Sequence, residues 1–414
     1  MKSNKFIYTF ILGLSFMMFS CQSLVDDIND DPNSIPTEDI EQRLFLSGAQ
    51  LSNISFNVGH LSRISGLYSG QLSGFQSVYN DVFNYNISTA ESNSSWNKIY
   101  VGVLNNTNSM IRNAPTDPLL IGICKVLEAN AVGTGAAVFG DVPYSEAASD
   151  IDDPVFDSQV SVLNAVQNTL DEAIASLSAG ASRPLAEDIH FGGDADKWIA
   201  TAYTLKARYY MLTRDYGNAY SAAQNGIKDD ASSLVYQPLG LSAADDNNQF
   251  WTMLNGARGG DIGSGDSYLS QILDSSTAVY RGNSKTDETA RSAYAYISEE
   301  SGDANLGIIE QVEAQDLVSY AENALTLAEA GARTQNFNTG LDHLNDYRAW
   351  LNTGAFLNAN FDTLDFTYAA YEEGDFMNGG MENTDNIDAT RALLREISEE
   401  RYVSGFLTWM PFND

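Results

Sequence analysis

Apolar residues recur at steps of three and four in several windows of the chain, the spacing that gathers them on one face of a helix. Trp96, Tyr100, Val103, Thr107 and Met110 form one such set, and Leu163, Val166, Leu170, Ala173 and Leu177 another. Trp198, Ala202, Leu205, Tyr209 and Leu212 form a third. The window 317–332 carries Leu317, Ala321, Ala324 and Ala328, small residues that let two helix axes approach closely. An apolar stretch over 119–139 predicts a further helix, followed after Gly140–Pro143 by one at 159–178.

The predicted helices pair. Ala207, Tyr210 and Ala219, with a turn near Asp215 to Gly217, have the spacing of a tetratricopeptide repeat, and 317–354 has the same helix–turn–helix length with its turn near Gly331 to Asn338. The pairs are irregular, so the expectation is a degenerate repeat in an α fold with little sheet. Two regions break the pattern, about 60–95 and 236–310. Both are rich in Ser, Gly and Asn, with Tyr68, Phe75, Tyr79, Phe83 and Tyr85 in the first and Trp251, Tyr268, Tyr280, Tyr294 and Tyr296 in the second. Loops this long in a compact protein are functional or disordered, and aromatics this frequent argue against disorder.

Composition narrows the function. Of 414 residues, 55 are acidic and 22 are Lys or Arg, giving a formal net charge of −33. Nucleic acid and anionic lipid surfaces are excluded as partners, because both require a cationic face. The N-terminus reads as an exported protein. Lys2 and Lys5 precede an apolar run from Phe6 to Phe19, too short to span a membrane and fitting a signal peptide over 1–20. Ser20 before Cys21 resembles a lipobox, so Cys21 is expected to carry lipid and 21–45 to form an acidic tether and the start of the fold. Cys124 then has no partner and sits among apolar neighbours, as a small buried hydrophobe would. Asp27, Asn29, Asp31 and Glu38 mimic a calcium loop, but Pro32 stands where the turn needs Gly, and a solvated linker is the better reading.

Catalysis has little support. His60, His190 and His343 lie far apart, and neither a His-Glu-x-x-His nor a Gly-x-Ser-x-Gly motif occurs. Glu399-Glu400-Arg401 reads as helix-surface or packing ion pairs, and the Gly140–Tyr144 segment as turn chemistry. Trp96 and Trp198 read as core. No metal, cofactor or catalytic residue is assigned. The aromatic loops instead suit the C–H faces of sugar rings. Tyr68, Phe75, Tyr79, Trp251, Tyr280 and Tyr294 are the stacking candidates, with Arg281 and Asn283 as polar partners; packing within the loops is the bland alternative for each.

Phe139-Gly140-Asp141-Val142-Pro143-Tyr144 heads a series of segments that, in order, resemble the SusD/RagB family of outer-membrane lipoproteins. The Cys21 signal and Asp30-Asp31-Pro32-Asn33 tether precede it, as does Trp96-Asn-Lys-Ile-Tyr100. Ala200–Tyr210, Tyr320-Ala321-Glu322, His343–Arg348 and Ile397–Tyr402 follow it. The resemblance is to a divergent SusD-like branch. It implies a tetratricopeptide-like helix-pair superhelix over 46–414 with an irregular, loop-rich ligand-binding lobe. It further implies a cell-surface glycan-binding lipoprotein at the outer membrane that partners a SusC-like TonB-dependent transporter. Peptide import is the alternative within the family, and a surface glycosidase the alternative outside it. The family's chain continues past Pro411-Phe412-Asn413-Asp414, so a truncated chain or gene fragment is an expectation here.

Overall fold

The computed structural model describes residues 40–147, 149, 151–241, 246–300 and 303–414. The signal segment, Cys21, most of the tether and the calcium-loop mimic lie outside them. The chain divides into a segment over 1–44 and a unit over 45–414, and the second carries the α-helices and strands of the described residues.

That unit is mostly helical. It opens with α1 (Leu46–Asn57), α2 (His60–Tyr68), β1 (Ser73–Gly74) and α3 (Ser77–Phe83). Next, α4 (Asn93–Asn97) runs through a π-helical stretch, Lys98–Leu104, into α5 (Asn105–Asn113). The scaffold pairs are α6 (Pro118–Phe139) with α7 (Gln159–Gly180), then α8 (Ala195–Leu212) with α9 (Tyr216–Ala223). A lobe follows, with β2 (Leu234–Tyr236), α10 (Gln249–Leu254), β3 (Ile262–Gly263), α11 (Tyr268–Leu273), β4 (Thr286–Asp287), α12 (Thr289–Ala295) and β5 (Gln315–Val318). The third pair is α13 (Tyr320–Thr334) with α14 (Phe337–Leu351); β6 (Thr367–Tyr368), α15 (Glu373–Phe376) and α16 (Ala389–Ser404) complete the order, α16 lying across that pair. Among the described residues the sheets are three antiparallel pairs, β1–β3, β2–β5 and β4–β6.

The scaffold helices start where side chains can take up the free N–H groups of the first turn. Asp117 accepts from Leu120 N with Pro118 at the first helical position, Asp194 from Asp196 N and Lys197 N, and Asp215 from Asn218 N. Ser158, Ser319, Asn336 and Asp388 do the same for α7, α13, α14 and α16. Part of the chain's acidic excess is therefore spent on capping, each cap stabilising by about 1 kcal/mol.

α6 is long and apolar enough to cross a membrane by composition, but it is buried in the core of this unit. It packs closely because its small residues face large ones. A Cβ on Gly122 would lie 2.5 Å from Leu177 Cγ, and one on Gly133 2.3 Å from the Tyr209 ring. Cys124 is buried in the same core, where burial raises its thiol pKa, in keeping with an inert packing role. Trp198 is buried too, its indole N–H donating to Asp188 Oδ2 at 2.8 Å. The window from 317 needs one correction: Leu317 belongs to β5, paired with β2, and the helix begins after the Ser319 cap.

Candidate ligand-binding surface

The two aromatic loop regions, far apart in sequence, are joined. β1 pairs with β3, setting Ser73 against Gly263 and Gly74 against Ile262. Phe75 N donates to Asp261 O and Tyr268 N to Gly70 O, each at 2.9 Å. A Cβ on Gly74 would sit 2.1 Å from the Tyr79 carbonyl oxygen, so glycine alone permits this chain path. Beneath the seam lies a core of its own, including Leu67, Leu72, Val82, Phe250, Ile262 and Leu269.

Aromatic rings gather on the seam. Tyr68 stacks on Tyr85 with centroids 5.5 Å apart and planes at 15°, and its ring lies 6.0 Å from that of Phe412. Tyr268 and Tyr402 pack at 6.0 Å, and Tyr402 Oη donates to Ser69 O at 3.0 Å. Tyr85 has 78% of its surface exposed and a φ of 60°. It occupies the position just after α3 where the chain turns left-handed. Tyr85 N donates to Val82 O at 2.8 Å and Asn86 N to Asp81 O at 2.9 Å, the paired bonds of a Schellman turn. Glycine is the usual residue there. A tyrosine costs about 1–2 kcal/mol of backbone strain, and here that strain holds a ring out in water beside Asn84 and Asn86, both exposed. Strained residues of this kind cluster at binding sites.

A family model described as starch-binding and associating with the outer membrane matches residues 32–407. The chain belongs to the SusD-like family. Solved structures agree on the fold. A SusD/RagB family protein from Bacteroides thetaiotaomicron is 18% identical, with a TM-score of 0.65 over 90% of this chain and 86% of that one. A chitin-binding SusD homologue from Flavobacterium johnsoniae is 18% identical, with a TM-score of 0.64 over 89% and 85%. A SusD homologue from Bacteroides ovatus is 14% identical, with a TM-score of 0.62 over 90% and 85%. Comparison with curated proteins returns no match.

The SusD-like lobe distributes the sequence candidates unevenly. Tyr68 sits in the ring cluster, and Phe75 on the seam is half-buried. Trp251 is half-buried on α10, whose start is capped by Asn248. Tyr79 is a correction: it is 4% exposed, its hydroxyl donates to Met253 Sδ at 3.2 Å, and its ring lies beneath the Arg63 guanidinium. Tyr280 is packed over Gly282, and its hydroxyl accepts from Glu288 N at 3.2 Å. Tyr294 lies apart, its hydroxyl donating to Glu313 at 3.0 Å beside Phe361.

Arg281 and Asn283 are corrected as well. Arg281 is 9% exposed and sits in a buried ionic cage. It pairs with Glu288, with Glu399 at 3.1 Å, Glu396 at 3.0 Å and Glu400 at 2.9 Å. Arg291 reaches Glu400 at 2.6 Å, and Arg348 lies 3.7 Å from Glu396. Burial pushes the Glu396 carboxyl up to about 8 against the pull of Arg281. Burial also opposes ionisation of Glu400, but Arg281 and Arg291 overcome it and hold that carboxyl at about 2. Asn283 spends its amide on Tyr371 Oη at 3.1 Å and on Glu382, and its carbonyl on Lys285 N. All the polar atoms that made these two residues attractive are taken by the protein. Sequence reasoning passed over Tyr85, Tyr268, Tyr402 and Phe412. The Asn-Tyr-Asn context of Tyr85 was a usable signal; Phe412 offered none.

Trp96, read as core, is only half-buried; its ring is 4.8 Å from Tyr100 and 6.1 Å from the exposed Phe156. Among the described residues no group of three or more His, Cys, Asp or Glu side chains is placed to hold a metal.

Proposed function

We propose that this SusD-like chain is a lipid-anchored, surface-exposed glycan-binding protein that captures oligo- or polysaccharide without cleaving it and passes it to a SusC-like TonB-dependent transporter. The observation that carries the reading is Tyr85, a ring held in water by a strained backbone beside Tyr68. Exposed rings flanked by amides suit the C–H faces and hydroxyls of a neutral sugar. The family's starch-binding description and the chitin-binding homologues support a glucan or an N-acetylglucosamine polymer as ligand. Stacking is worth about 0.5–1.5 kcal/mol per ring. Two or three rings, less ordering costs, give an affinity of about micromolar or weaker, which a polymer offering repeated epitopes to tethered copies raises.

Calorimetry with maltooligosaccharides and chitooligosaccharides tests this. Binding of one series is expected, with no release of reducing sugar over long incubation. Sugar release that follows the purified protein, or binding to peptides alone, overturns the reading. Fatty-acid labelling that marks the wild type and spares Cys21→Ala checks the anchor, and co-purification of a TonB-dependent transporter checks the partner.

A further inference from the structure

A cleft of about 410 Å³ opens between α5, α6, α7 and the segment after Gly140, and it shares no residue with the aromatic surface. The volume falls in the range of small-molecule sites. Its floor is built from one face of α7, where Ser161, Ala165, Asn168 and Thr169 follow helical spacing, opposite Glu128 on α6 and Asn108 on α5.

The polar groups are fixed in place. Glu128 Oε1 accepts from Tyr144 Oη at 2.8 Å, and Thr169 Oγ1 lies 2.8 Å from the same hydroxyl. Tyr144 thus gives its one proton to Glu128 and keeps a lone pair. Asp157 Oδ2 accepts from Tyr144 N at 2.9 Å and Ser145 N at 2.7 Å, while Oδ1 accepts from Ser145 Oγ at 2.8 Å. These bonds hold the Asp157 carboxyl below its usual range, whereas burial raises that of Glu128. Asn108 donates to Leu104 O at 2.9 Å, and Asn168 is exposed.

The chemistry selects a ligand class. No Lys or Arg lines the cleft, so it offers nothing to an anion. Its apolar share, Leu104, Val162 and two alanines, is too small for a lipid chain. What remains is a set of carboxyl, hydroxyl and amide groups, which complement the hydroxyls of a compact polyol. We propose that this cleft is a second carbohydrate site, taking one neutral sugar ring by hydrogen bonding to Glu128, Asp157 and Asn168 rather than by stacking. The ring's hydroxyls donate to the two carboxyl groups and accept from the Asn168 amide. This gives the turn at Gly140–Tyr144 a role beyond ending a helix. The inference rests on the reading of the chain as a carbohydrate binder, but it uses none of the same residues.

The test is saturation-transfer NMR on the full chain with free glucose and free N-acetylglucosamine as probes. One of them is expected to bind the wild type. The same binding should weaken at least tenfold in Asn168→Leu, an exposed helix change, and in Glu128→Gln. Circular dichroism identifies a variant that has failed to fold, and Asn168→Leu alone then decides. Absence of binding by the wild type, or binding unchanged in Asn168→Leu, overturns the proposal. If Tyr85→Ala abolishes oligosaccharide binding while Asn168→Leu changes nothing, the second site fails and the aromatic surface stands. The reverse pattern refutes the aromatic surface instead.

Discussion

Replacing Tyr85 by glycine and, separately, by alanine isolates the strain attributed to the Schellman turn. Both variants remove the ring and with it the stack on Tyr68, worth about 0.5–1.5 kcal/mol. They differ only in backbone. Alanine at a φ of 60° keeps the left-handed penalty of about 1–2 kcal/mol. Glycine escapes it but has more freedom to lose on folding, about 0.4–1 kcal/mol. The balance makes Tyr85→Gly the more stable variant by about 0.5–1 kcal/mol, the reverse of the order inside a helix, where alanine is better by about 1 kcal/mol. Against wild type, glycine should be nearly neutral, since relief of strain offsets the lost stack, while alanine should be less stable by about 1 kcal/mol. Urea unfolding at matched m-values measures the order. Calorimetry against the best oligosaccharide should find both variants weakened about tenfold, or 1.4 kcal/mol. Tyr85→Ala more stable than Tyr85→Gly would refute the turn geometry. Unchanged binding in both would remove Tyr85 from the ligand surface and leave its strain without a function.

Three further outcomes are expected of the buried interior. Arg281→Met removes one of the two guanidiniums that Glu288 and Glu400 share, leaving Arg291 alone between them, and should destabilise by about 3 kcal/mol in urea melts; a loss below about 1 kcal/mol would mean that the cage is open to water. Glu400, held at about 2, contributes stability that is complete above its ordinary range near 4.5 and fades as pH falls towards 2. Glu396, raised to about 8, acts oppositely: the folded protein keeps a proton the unfolded chain has lost, so stability declines as pH rises from 4.5 through 8. Urea midpoints recorded across that span should therefore fall for the wild type and flatten for Glu396→Gln; parallel curves would count against the assignment. Gly133→Ala should cost about 1–3 kcal/mol, because its Cβ meets the Tyr209 ring at 2.3 Å and that ring is fixed by bonds to Ala129 O and Asn130 O; a neutral effect would show that α6 and α8 can part.

The scaffold was legible because its signals are local. The 159–178 prediction met a helix of Gln159–Gly180, since apolar periodicity and the Ser158 cap both lie within one stretch of chain. The start at Leu317 failed because a four-residue strand also buries apolar residues, and its partner Leu234–Tyr236 is far upstream. The candidate ligand surface was legible only as two aromatic regions. Their junction rests on two-residue strands, which leave no pattern in a sequence. Arg281 misled for the same reason: an arginine among loop tyrosines looks like a sugar contact until Glu400, 119 positions away, is found beside it.

The cage and the separate Arg208–Glu322 pair bear on what the outside of the molecule can bind. Arg208, Arg281, Arg291 and Arg348 are all less than a tenth exposed, and each faces a buried glutamate: Glu322, Glu288, Glu400 or Glu396. The interior thus withdraws cations from a chain that has few, and the surplus of −33 is left largely on the surface. A surface so charged repels polyanions from a distance. The rings of Tyr85 and Tyr68 and the amides of Asn84 and Asn86 carry no charge to be screened. Binding at the proposed glycan surface should therefore favour neutral ligands by exclusion as well as by contact, and salt should leave its strength nearly unchanged.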